Sequence, residues 1–149
     1  MRTGALLALC LLLPGCPQRE RGVVVEDDSP IVGARGQTTE ALGIETVGGV
    51  LTPLIKAGTA VPCSTSEEFA PADGQTELTV TLLRGTGARA SGAHALGRFR
   101  IVGIPDASGD TSLVRVTFSI TERQISLSAR ALAHGNASQI LRDGAAPAP

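Results

Sequence analysis

Three cysteines, two histidines and one glycine-rich hexapeptide are the residues of this 149-residue chain whose types could do chemistry. A thiol acts as nucleophile or metal ligand only as the thiolate, which needs a base or cation beside it. Only His94 and His134 could serve Cys63. Both stand in glycine-containing, turn-like surroundings, and the three match no zinc or nucleophile spacing, so Cys63 is expected to be an inert thiol and no metal is expected. Gly85-Thr86-Gly87-Ala88-Arg89-Ala90 has the dinucleotide form Gly-x-Gly-x-x-Ala, with Asp106 about twenty residues on. That chemistry needs a helix N-terminus under the pyrophosphate. The following residues, Ser91 to Gly97, hold two glycines and lead into a strand pattern, so a connection between strands is expected and no nucleotide or other cofactor. Nowhere do a nucleophile, a base and an orienting group fall together, so the chain is not expected to be an enzyme.

Charge and composition exclude further classes. The net charge is −1, with twelve Arg and the single Lys56 against 14 acids, and three Phe are the only aromatic residues. Without a basic field or stacking platforms, nucleic acid is not an expected partner. Hydrophobic residues make up 42% of the chain, enough for one domain with an aliphatic core.

Cys16 has a different setting. Arg2 precedes an unbroken apolar run from Ala5 to Leu13, which as a helix rises about 14 Å, too short to span a ~30 Å hydrocarbon core. This reads as a signal peptide over residues 1–15. Leu13-Pro14-Gly15-Cys16 resembles the bacterial lipoprotein box, in which the Cys is acylated and becomes the new N-terminus, although Pro14 is an uncommon choice there. The alternative is ordinary secretion with Cys16 merely nearby. Lipid on Cys16 would make the membrane a partner. Pro17 is not the Asp that resembles an inner-membrane retention signal, so the expected location is the cell envelope, with the outer membrane favoured over the inner. Processing would leave Cys63 as the only free thiol.

The elements that must position any site follow. Residues 16–41 are mainly polar and read as a lipidated N-terminus and flexible tether, about 25 residues averaging roughly 25 to 30 Å end to end; the alternative is that Val23 to Val25 pairs as an extra edge strand. From Leu42 the apolar residues alternate with period two, most clearly in Leu78 to Leu82 and Val114 to Ile120. Further strands are expected over Leu42 to Thr46, Val50 to Ile55, Ser66 to Ala70, Leu96 to Ile101, Ile125 to Ala131 and Ser138 to Leu141. About eight short strands without a capped helical pattern imply an all-β, antiparallel two-sheet sandwich or a barrel over 42–143, followed by a frayed tail at 144–149.

Leu42-Gly43-Ile44-Glu45-Thr46-Val47-Gly48-Gly49 closely resembles the opening of the β-subdomain that binds substrate peptides in DnaK-type heat-shock chaperones. The similarity continues in order through Leu54-Ile55, Pro62, Phe69, Gln75, Gly85, Leu96-Gly97-x-Phe99, Gly103-Ile104-Pro105, Val116-Thr117-Phe118 and Ser128-Ala129. The resemblance implies a sandwich of two four-stranded sheets whose loops at one end cradle an extended peptide. Ile44, Thr46, Val47, Phe69, Ala72, Leu78, Val80 and Val114 fall where that family lines its peptide channel and pocket, with Val47 and Ala72 at the arch over the peptide. Aliphatic residues at period two are also the ordinary filling of a sandwich core.

Departures from the family shape the expected function. Its ATPase domain has no counterpart in these 149 residues, its apolar interdomain linker is replaced by Gly36-Gln37-Thr38-Thr39-Glu40-Ala41, and no helical lid follows the last strand. The expectation is a lipid-anchored exported protein that holds extended apolar segments of unfolded or exported proteins without ATP. The alternative is a non-catalytic structural lipoprotein that docks an envelope partner with its channel closed. Arg98, Arg100 and Arg115 alternate away from apolar neighbours and are expected on a solvated outer face.

Overall fold

A computed structural model describes residues 22–72, 74–105, 113–132 and 138–143. Nine strands run through them: β1 Val23–Val25, β2 Ala41–Thr46, β3 Val50–Ile55, β4 Cys63–Phe69, β5 Leu78–Gly85, β6 His94–Val102, β7 Val114–Ile120, β8 Ile125–Ala131 and β9 Gln139–Asp143. Every pairing is antiparallel, in a four-stranded sheet of order β1-β8-β7-β4 and a five-stranded sheet of order β3-β2-β5-β6-β9. The all-β sandwich expected from the sequence is therefore the fold.

Alternation explains why these residues form these layers. In β7, Val114, Val116, Phe118 and Ile120 are fully covered while Arg115, Thr117 and Ser119 point outward; Ile125, Leu127, Ala129 and Ala131 repeat the pattern on β8. Leu42, Leu82, Phe99 and Ile101 answer from the other sheet, so an aliphatic core with two buried Phe fills the space between the layers. Gly43 is required where β2 meets β3, because a Cβ there would lie 2.3 Å from the Thr52 carbonyl oxygen. The β2–β3 hairpin turns through Gly48 and Gly49 at φ 86° and 67°, a left-handed pair that glycine adopts without steric cost.

The register places outward residues of the four-stranded sheet in rows. Ser64, Ser119 and Ser126 form one, Ser66, Thr117 and Ser128 the next, and Glu68, Arg115 and Arg130 the third. Ser66 and Thr117 hydroxyls lie 2.9 Å apart, and Arg115 Nη2 is 2.7 Å from Glu68 Oε1. Arg98 and Arg115 are exposed and Arg100 is half-buried.

The expected tether is corrected over its described part. Val23–Val25 pairs with β8 as a ninth strand, Ile31 and Thr38 are buried, and the segment from Gly22 to Glu40 packs on the base of the sandwich. Thr38 ties it down: its hydroxyl donates to the Lys56 carbonyl at 2.8 Å and accepts from the Thr59 amide at 3.0 Å. The physical reason lies in the two short apolar interruptions, Val23 to Val25 and Ile31-Val32: Val25 and Ile31 are buried and Val23 and Val32 pack against the core, which outweighs the ordering cost of the polar residues between them. The first strand of the family-like region starts at Ala41, β4 begins at Cys63 instead of Ser66, and β9 runs to Asp143. Residues 1–15, Cys16 and 144–149 lie outside the described residues.

Among the described residues, Arg84 is the buried charge of the sandwich. Leu83 points outward and is buried outside the main core cluster, while Arg84, next in the alternation and 8% exposed, meets Asp27 Oδ2 at 3.3 Å and Glu40 Oε2 at 3.2 Å. Both carboxylates belong to the folded-back N-terminal segment. An arginine at such a site is tolerated only when paired, so Arg84 binds that segment to the base.

Candidate functional site

All eight channel residues proposed from the resemblance map to one end of the sandwich. Ile44 and Thr46 lie at the end of β2 with Val47 in the turn beyond, Phe69 closes β4, Ala72 lies in the connection to β5, and Leu78, Val80 and Val114 begin β5 and β7. The connection from β4 to β5 crosses from one sheet to the other, which brings these strand ends together. Phe69 faces Val114 directly across the β4–β7 ladder.

Five of the eight converge. Ile44, Val80 and Val114 belong to the buried core cluster, and Phe69 and Leu78 are half-buried against it. The other three stand apart from that cluster. Val47 is 101% exposed at the tip of the β2–β3 turn and Ala72 is exposed in the β4–β5 connection. Thr46 is half-buried, its hydroxyl 2.9 Å from that of Thr52 and 3.4 Å from the Val50 carbonyl oxygen. Exposure thus rises from a covered aliphatic floor, through two half-buried walls, to two bare tips. Such a gradient can receive an apolar side chain between the walls and leave the bound main chain to strand-end amides and carbonyls.

The other candidates stand elsewhere. Cys63 is half-buried on β4, where desolvation raises its pKa above the ordinary thiol value, so it is protonated at neutral pH and poorly nucleophilic. His94 is exposed at the start of β6, and His134 lies outside the described residues. Among the described residues no group of three His, Cys, Asp or Glu is placed to hold a metal ion.

Gly85 ends β5, and the rest of the hexapeptide folds over β3. The Leu51 amide donates to the Ala88 carbonyl at 3.0 Å and the Ala90 amide to the Gly49 carbonyl at 2.9 Å. Among the described residues the only helical turn that follows is the three-residue Ala90–Gly92. Beside it lies a recess of about 460 Å³ lined by Glu45, Thr81, Leu83 and Arg89, on the outward side of the five-stranded sheet. Sequence reading missed that recess, which depends on a loop folding back, and it missed the ion cluster on Arg84, whose partners no spacing rule connects.

Comparison with known proteins bears on this end of the molecule. Residues 32–145 match the Hsp70 protein family. The chain is 45% identical over 84 residues to the chaperone protein DnaK of Mycoplasmopsis synoviae (strain 53), covering 56% of this chain and 14% of that protein. It is 37% identical over 123 residues to heat shock protein hsp-6 of Caenorhabditis elegans, covering 81% of this chain and 19% of that protein. The chain thus spans less than a fifth of the length of either relative. The stretch that matches includes every strand from β2 to β9 and all eight residues of the open end, and on that ground the chain belongs to the Hsp70 family.

Proposed function

We infer that the open end of this sandwich binds extended apolar segments of unfolded or exported polypeptides and holds them passively, without nucleotide hydrolysis. The observation that carries the reading is the convergence of Ile44, Val80, Val114, Phe69 and Leu78 beneath the exposed tips Val47 and Ala72. Thr46 completes the set as a polar wall. Burying one Leu-sized side chain contributes roughly 1.5 to 3 kcal/mol, against about 1 kcal/mol or more for each ordered residue. Binding is therefore modest and release fast. The Leu13-Pro14-Gly15-Cys16 segment supports export with a lipid on Cys16, and the absence of Asp after it supports the outer membrane over the inner as the place where the holder works.

Titration of a fluorescent, Leu-containing heptapeptide into the mature chain tests the reading. Saturable binding, competed by unlabelled peptide and weakened by Phe69→Ala with the fold retained by circular dichroism, is the expected result. A folded protein with no saturable binding would sink it.

A second reading has its own support. Val80 is 4% exposed and Val114 0%, so the floor is covered by the protein's own side chains, as a purely structural module docking an envelope partner would require. Its edges are nevertheless guarded against strand pairing. Pro53 sits in edge strand β3, and Glu67 of β4 and Arg142 of β9 occupy core-side positions of the other long edges. Such a partner would have to use a sheet face.

A further inference from the structure

The folded-back N-terminal segment changes where a lipid on Cys16 would hold the domain. Only residues 17–21 separate Cys16 from the first described residue, Gly22. Fully extended, the distance from Cys16 to Gly22 is at most about 20 Å. A 25-residue tether would have left the sandwich free to tumble above the surface.

The lead is short, and it arrives at a particular place. A Cβ on Gly22 would lie 3.4 Å from the Leu127 carbonyl oxygen and 3.8 Å from the Ser128 side chain, at the β1 edge of the four-stranded sheet. Val24, two residues on, is 51% exposed and shares the outward side with its register partner Ser126. We propose that the outward face of the four-stranded sheet rests on the headgroups of the lipid surface to which Cys16 is attached, an inference that depends on the lipid-anchored reading of Cys16.

The chemistry of the face suits that occupant. Across β4, β7 and β8 two of its three rows carry only Ser and Thr hydroxyls, short enough for the sheet to lie close and able to donate to phosphate and ester oxygens, and Val24 of β1 extends one of them. In the third row Arg115 is held by Glu68, while Arg130 is exposed with no ion pair among the described residues and presents a planar guanidinium to a phosphate. One cation and a hydroxyl field bind weakly from free solution. A linker this short supplies an effective concentration of about millimolar, at which weak contacts are occupied.

Charge alone does not choose between the two outer faces, since Arg98 and Arg100 lie on the other. The point of entry does. Packed sheets are about 10 Å apart and each outer face adds a layer of side chains, so an anchor under the five-stranded face would stretch residues 17–21 toward their limit of about 20 Å, whereas one under the four-stranded face leaves them slack. Contact through the four-stranded face also lays the strands along the surface. The open end then faces sideways, uncovered by lipid.

The test uses the full acylated chain, with Cys63→Ser, on vesicles of phosphatidylethanolamine and phosphatidylglycerol that carry a headgroup quencher. A fluorophore is placed through Ser119→Cys on the four-stranded face or Thr79→Cys on the five-stranded face. The expected result is several-fold stronger quenching at 119 than at 79, a contrast reduced by Arg130→Glu and abolished by a long Gly/Ser insertion after Gln18. Equal quenching in the uninserted chain overturns the proposal. Mass spectrometry of the mature N-terminus separates the two readings: a chain with bare Cys16 overturns both, whereas an acylated chain with equal quenching overturns the docking alone.

Discussion

The two ends of the sandwich are built on opposite principles. At the base, Arg84 is clamped by Asp27 and Glu40, Thr38 bonds Lys56 and Thr59, Ile31 is buried, and the Thr121 hydroxyl accepts from the Gln124 amide at 3.2 Å. At the open end, Gly48 and Gly49 turn the chain, Val47 and Ala72 are bare, and the walls Phe69 and Leu78 are only half covered. Polar partners at the base are directional and specify one arrangement. Apolar contacts at the open end are non-directional, and on the proposed reading its half-covered walls are where a guest side chain would pack. One end is fixed by polar partners while the other offers half-covered apolar side chains.

The contrast breaks most sharply at Arg84. Arg84→Ala leaves Asp27, whose side chain is 9% exposed, without its cation, and is expected to cost about 3 to 5 kcal/mol in urea unfolding. A loss under about 1 kcal/mol would mean that the base is not a clamp. Thr38→Val removes two side-chain hydrogen bonds at nearly constant volume, with an expected loss of about 1 to 3 kcal/mol and earlier amide exchange at Thr59 and Gly58. Val47→Ser sits at the other extreme. With a fully exposed side chain it is expected to shift stability by no more than about 0.5 kcal/mol while weakening peptide binding, and unchanged peptide affinity would remove the tip from the site.

Legibility divides along the same line. Strands β7 and β8 could be read directly because each carries strict alternation over seven residues with a covered inner face. The open end was legible only through resemblance: Ile44, Val80 and Val114 are indistinguishable by pattern from any core residues, and their convergence with Phe69 depends on how the two sheets stack. β1 was hard to read because three residues are too few for a period, and the register with β8 is what gives Val25 its buried partner. Arg84 continues the inward alternation of Leu78, Val80 and Leu82, but which carboxylates it meets depends on how residues 22–40 fold back.

The amino-acid sequence by itself determined the layers, the aliphatic core and the glycine turn of the β2–β3 hairpin, because side-chain alternation and left-handed backbone are local properties that each residue carries with it. Only the tertiary structure decided that residues 22–40 belong to the domain, that a buried arginine welds them to its base, and which outer face the chain enters beside. Those outcomes turn on ion pairs, ladder registers and stacking between segments far apart in the chain, and no local pattern encodes which distant partner a charge or an edge will meet.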